Sequence, residues 1–101
     1  MRPKKERWVK CSPGDRRFLP EAAGAAAGGS VALMIDEFEA LRLADLEGLT
    51  HALAARRMKV SRPTFTRILA SAHAKVADGL VNIREIRVEG GCCRFGTERK
   101  K

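Results

Sequence analysis

Between Val31 and Val88 the apolar residues change period several times, and each change marks a predicted element. Val31, Leu33 and Ile35 alternate with Ala32 and Met34, the period of a short strand. From Asp36, taken as a cap, a helix is predicted in which Glu37 and Glu39 complement the positive end of the dipole. Phe38, Leu41, Leu43 and Leu46 line its inner face until Gly48, and its acids are expected on the solvent face. Thr50 caps a second, short helix reaching Met58, with Ala54, Ala55 and Met58 spaced to pack on a neighbour. After a tight turn at Lys59 and Val60, Ser61 is the cap of a third helix that tolerates Pro63 in its first turn. Phe65, Ile68, Leu69, Ala72 and Val76 recur every three or four residues along it, so Arg62, Thr66, Arg67, Ala70 and His73 fall on other faces. Gly79 is its expected end. Val81 and Ile83 share one parity and Ile86 and Val88 the other, which predicts a short strand or a bulged pair before Gly90 and Gly91.

The flanks lack this order. Residues 1–30 read as a basic arm, carrying Arg2, Lys4, Lys5, Arg7, Lys10, Arg16 and Arg17, followed by a flexible loop rich in Ala and Gly. Residues 31–91 form the predicted domain, and 92–101 a polar tail. The expected fold is mainly α: a trihelical helix-turn-helix with a short β element, since helices of these lengths joined by a turn of about three residues match that motif.

Charge then suggests a partner. In 101 residues there are 20 Lys and Arg against 12 Asp and Glu, a formal charge of +8, which favours a polyanion. Arg56, Arg57, Lys59, Arg62 and Arg67 gather around the turn and third helix, while Asp36, Glu37, Glu39, Asp45 and Glu47 crowd the first. A membrane span is not expected, because the least polar stretch, Glu21 to Ile35, is mostly Ala and Gly and contains Glu21 and Ser30. No apolar run follows the basic N-terminus as in a signal peptide, so a cytoplasmic location is expected.

The run DEFEALRLADLEGLTHALAARRMKVSRPTFTRILASAHAKVADGLV, from Asp36 to Val81, closely resembles domain-of-unknown-function family 134, described as predicted DNA-binding proteins. Its helix-turn-helix is similar to region four of bacterial sigma-70 factors. The flanking RWVKCSP, FLP and IRVEGG segments extend the resemblance over most of the chain. Where the family usually has acidic or amide residues early in the second helix this chain has His51, Ala52 and Leu53, and where it usually has Gly in the turn this chain has Lys59. A non-glycine residue in a left-handed turn costs roughly 1 kcal/mol. The resemblance implies this fold and DNA binding.

Sequence-specific binding of double-stranded DNA by a transcription regulator is the function expected, with the helix starting at Ser61 in the major groove. Arg62, Thr66 and Arg67 are the candidate base readers, because Arg can bond both acceptors of a guanine edge and Thr offers a hydroxyl and a methyl. Arg57, Lys59, Ser61 and Thr64 are candidates for phosphate. For Ser61 and Thr64 a purely structural capping role is the plain alternative, and for Arg67 a salt bridge. One short recognition helix contacts few base pairs, so a homodimer is expected.

Enzyme activity is not expected, as no nucleophile with an oriented base, phosphate-binding Gly loop or carboxylate pair occurs. The absence of Tyr and the single Trp8 disfavour stacking on unpaired bases. Cys11, Cys92 and Cys93 lack the C-x-x-C spacing of zinc ribbons, so no cofactor is expected; a metal or iron-sulfur site on them is the lesser alternative. His51 and His73 read as surface polar residues. Two rival functions stand beside DNA binding: a sigma-like module contacting RNA polymerase or another protein, and a cysteine-based metal or redox sensor.

Overall fold

The computed structural model describes strands Arg7–Val9 and Cys93–Phe95, residues 16–21 and residues 28–90. In chain order the elements are β1 (Arg7–Val9), β2 (Arg16–Phe18), β3 (Ser30–Leu33), α1 (Ile35–Leu41) continued by a π-helical turn (Arg42–Leu46), α2 (His51–Met58), α3 (Arg62–Val81), β4 (Glu85–Val88) and β5 (Cys93–Phe95). The protein is mainly helical with small β elements, as expected.

Strand β3 runs parallel to β4, with Val31 opposite Ile86 and Leu33 opposite Val88. A parallel pair needs a crossover, and here the three helices supply it. Burial of Val31, Leu33 and Val88 directs one face of this pair inward, where Leu33 and Val88 pack with Ala72 of α3. Strand β2 adds antiparallel to the other edge of β4, with Arg16 opposite Val88 and Phe18 opposite Ile86. A second pair forms where β1 runs parallel to β5, Arg7 opposite Cys93 and Val9 opposite Phe95. The basic arm thus contributes two strands, and the segment expected as a polar tail from Cys92 contains a third. Stretches of three residues rich in Arg carry no period of their own; their pairing is set by partners more than 60 positions away, beyond the reach of local pattern.

Helix α1 begins two residues earlier than expected. Its cap is Met34, whose N–H donates to Glu37 Oε1 at 2.8 Å. Asp36 lies buried inside the first turn and its Oδ1 accepts the Glu37 N–H at 2.8 Å. Asp36, Glu37 and Glu39 are all buried, so the expected acidic solvent face is corrected for these three, while Asp45 and Glu47 are exposed as expected. After Leu41 the helix widens: Glu47 N–H donates to Arg42 O, an i to i+5 bond, at 2.9 Å. The wider turn retards the helical phase. Leu43 stays buried, but Leu46, expected in the core, is rotated out to 80 % exposure. Gly48, at φ 73, reverses the chain, and Leu49 N–H bonds back to Leu43 O at 3.0 Å.

The second and third helices start as the sequence predicts. Thr50 caps α2 by accepting from Leu53 N, and Ser61 caps α3 by accepting from Thr64 N, both at 3.2 Å. Between them Lys59 takes the left-handed conformation, φ 58. Phe65, fully buried, is the centre of a cluster with Ala40, Leu43, Ala54, Ala55, Met58, Ile68 and Leu69; Leu41 and Val60 pack at its margin. Helix α3 runs on through Gly79 to Val81, correcting its expected end. Gly79 is buried against β4: a Cβ there would lie 2.5 Å from Ile86 Cγ1. Val81 therefore belongs to the helix, and the strand comprises Glu85–Val88 alone.

Candidate nucleic-acid interface

The seven residues singled out in the sequence converge on one region. Arg57 lies in the last turn of α2, Lys59 and Ser61 in the turn, and Arg62, Thr64, Thr66 and Arg67 in the first two turns of α3. All but the half-buried Thr64 are exposed. The apolar stripe of α3 forces this arrangement: with Phe65, Ile68 and Leu69 locked in the core, Arg62, Thr66 and Arg67 must face away from it.

The hydroxyls here are engaged with one another. Ser61 Oγ donates to Thr64 Oγ1 at 2.9 Å besides accepting the Thr64 N–H, and an Arg67 Nη donates to Thr64 Oγ1 at 3.3 Å. The structural role weighed for Ser61 and Thr64 is therefore present. Arg67 makes no salt bridge among the described residues, nor do Arg56, Arg57 or Arg62. The acids are spent elsewhere. Glu39 takes Arg42 in two bonds of 2.8 and 2.7 Å, Arg42 also bonds Glu47, and Asp45 Oδ2 lies 2.6 Å from His73 Nε2. What separates the charges is thus inward rotation and pairing of the acids.

The polar support beneath this surface was not among the expected site residues. Glu37 on α1 receives Met34 N–H and Lys75 Nζ on Oε1 and the Ser71 hydroxyl on Oε2, the last two at 2.9 and 2.6 Å. Burial pushes the Glu37 carboxyl up, but bonds from Ser71, Lys75 and Met34, with the Lys75 charge, outweigh it and hold the group below the usual carboxylate range. Ser71 and Lys75 sit four apart on α3, a spacing that puts both on one face, and this was the readable signal. Met34, Asp36, Glu37, Thr64, Arg67, Ile68 and Ser71 line an open groove between α1 and α3. His51, assigned no role, also takes part: its Nδ1 is 3.2 Å from Thr66 Oγ1 and its ring meets Phe65 edge-on, centroids 5.4 Å apart.

Among the described residues no group of three or more His, Cys, Asp or Glu could hold a metal ion. Cys11 and Cys92 lie outside those residues, and Cys93 starts β5. No described helix is long and apolar enough to cross a membrane.

These features define a small, mainly helical protein with a cationic helix start facing outward. Residues 1–95 match the family described as "Protein of unknown function DUF134", and the chain belongs to it. It is 49 % identical over 100 residues to UPF0251 protein Teth514_1147 of Thermoanaerobacter sp. (strain X514), covering 99 % of this chain and 88 % of that one. UPF0251 protein CT0950 of Chlorobaculum tepidum is 56 % identical over 90 residues, covering 89 % of this chain but 59 % of that longer protein. No solved structure matches the chain.

Proposed function

We propose that this protein binds specific double-stranded DNA as a transcription regulator, with α2, the Lys59 turn and α3 acting as a helix-turn-helix similar to sigma-70 region four. The observation that carries the reading is the set of outward cations at the turn: Arg56, Arg57 and Arg62, unpaired by acids among the described residues, stand around a capped helix start. A helix N-terminus attracts phosphate through its backbone N–H groups and dipole. With Ser61 near the backbone, the first two turns of α3 would enter the major groove and bring Arg62, Thr66 and Arg67 to base edges. Arg57, Lys59, Ser61 and Thr64 would hold phosphates. A homodimer belongs to this reading, and the exposed Leu80 and Val81 at the far end of α3 offer it an apolar surface.

One observation favours a second reading. The exposed Leu46 joins Phe38 and Leu41 in an apolar groove edged by Arg16 and Arg42, the kind of surface a protein partner takes. Titrating a labelled duplex with the full chain at several salt concentrations separates the two. DNA binding predicts that log affinity falls linearly with log salt, by about 0.9 for each phosphate contacted. A folded protein without duplex affinity at ~50 mM salt, where such contacts are strongest, would transfer the assignment to a protein partner.

A further inference from the structure

We infer that His51 positions Thr66 so that Thr66 meets DNA with its methyl group, which makes thymine the base it selects; this rests on the DNA-binding reading of α3. Thr66 is exposed on the second turn of α3, between the outward Arg62 and Arg67. Left alone, its side chain could offer a base either the hydroxyl or the methyl, and the two choices select different base edges. His51 removes that choice. Its Nδ1 lies 3.2 Å from Thr66 Oγ1, bridging the first turn of α2 to α3.

The histidine is itself held from both sides. Its ring meets Phe65 edge-on, at centroids 5.4 Å apart and planes 68° apart, and Phe65 is fully buried. Its backbone opens α2 directly after the Thr50 cap, whose side chain accepts Leu53 N–H. The imidazole is therefore anchored to the core through its neighbour, and a β-branched side chain bonded to it has little χ1 freedom left. With the hydroxyl engaged towards α2, the methyl is the group of Thr66 left to meet a base. Among base edges in the major groove, the thymine 5-methyl is the apolar match.

The test uses the full chain and a duplex enriched from a random-sequence library. Each thymine of that duplex is replaced singly by deoxyuridine, which lacks only the 5-methyl. For the natural protein one replacement is expected to weaken binding about fourfold, the worth of one buried methyl-sized group. Thr66→Ser, which keeps the hydroxyl and loses the methyl, should abolish that ratio, and Thr66→Val should retain it. His51→Ala should lower the ratio towards one, and His51→Asn, whose side-chain amide can still bond Thr66, should restore it; melting temperatures of all four variants separate this from unfolding. Folded His51→Ala protein with the full ratio, or no thymine whose methyl matters, overturns the assignment of His51 and Thr66 alone. Failure of the natural protein to enrich any duplex overturns the DNA-binding reading and this inference with it.

Discussion

Lys75 Nζ lies 2.9 Å from Glu37 Oε1, joining two residues 38 positions apart and tying the first turn of α1 to the middle of α3. Lys75 is half-buried and Glu37 buried, so the pair is not a loose surface contact, and Ser71 completes the set. Held below the usual range, the Glu37 carboxyl binds protons less readily folded than unfolded. Its contribution is therefore complete above the unfolded carboxylate value of about 4.3 and is lost as pH falls through the lower folded value. Thermal melts from neutral to acid pH should show the natural protein losing stability below about pH 4.3 more steeply than Glu37→Gln. Parallel curves would remove Glu37 from the acid response.

Phe65 is fully buried at the meeting point of α1, α2 and α3. Phe65→Ala should cost about 3 to 5 kcal/mol, comparable with the ~5 to 15 kcal/mol that holds a small domain together. Urea unfolding followed by circular dichroism measures this. A variant with the parent's midpoint would contradict the packing described for α3.

Gly79→Ala sets two effects against each other. Alanine improves the helix interior by about 0.5 to 1 kcal/mol, but its Cβ would lie 2.5 and 2.6 Å from Ile86 Cγ1 and Cδ1. Overpacking costs about 1 to 3 kcal/mol, so the clash should prevail and lower the melting temperature. A rise would mean that Ile86 moves aside easily.

Lys59 holds a left-handed conformation that glycine adopts without the roughly 1 kcal/mol strain. Lys59→Gly is expected to match or exceed the parent in thermal stability while losing DNA affinity, with the salt slope reduced by about one unit. Equal affinity and slope would remove Lys59 from the phosphate contacts.

Much of the helical core was legible because Phe65, Ile68, Leu69 and Ala72 repeat at helical spacing on a helix long enough to make the pattern unambiguous, and because Thr50 and Ser61 are strong caps. Local pattern failed where a distant partner decides. Asp36, Glu37 and Glu39 look like solvent-facing helix-start charges, yet Glu37 is neutralised by Lys75 and Glu39 by Arg42, contacts that let acids turn inward. Leu46 was misplaced because the expected phase assumed an α-helix, whereas the turn at Arg42–Leu46 is π-helical. Gly79 has the composition of a stop but serves as space for Ile86. Positions of the candidate contact residues followed from the phase of α3, but the bond from His51 to Thr66 joins two helices and leaves no mark in either helix's period.

Whether the start of α3 reads duplex DNA is decided by the salt dependence of affinity for an enriched duplex, measured for the natural protein and for Arg62→Ala/Arg67→Ala. Both arginines are exposed in the first two turns of α3, so the double variant should fold with the parent's melting temperature. If either reads a guanine, affinity should fall by about 1 to 3 kcal/mol for that contact, with preference relaxed at one base position. If both contact phosphate, affinity should fall alike on all sequences, and the slope of log affinity against log salt should shrink by about two units, one per lost contact. A folded double variant with unchanged affinity and unchanged slope would mean that the start of α3 does not read DNA.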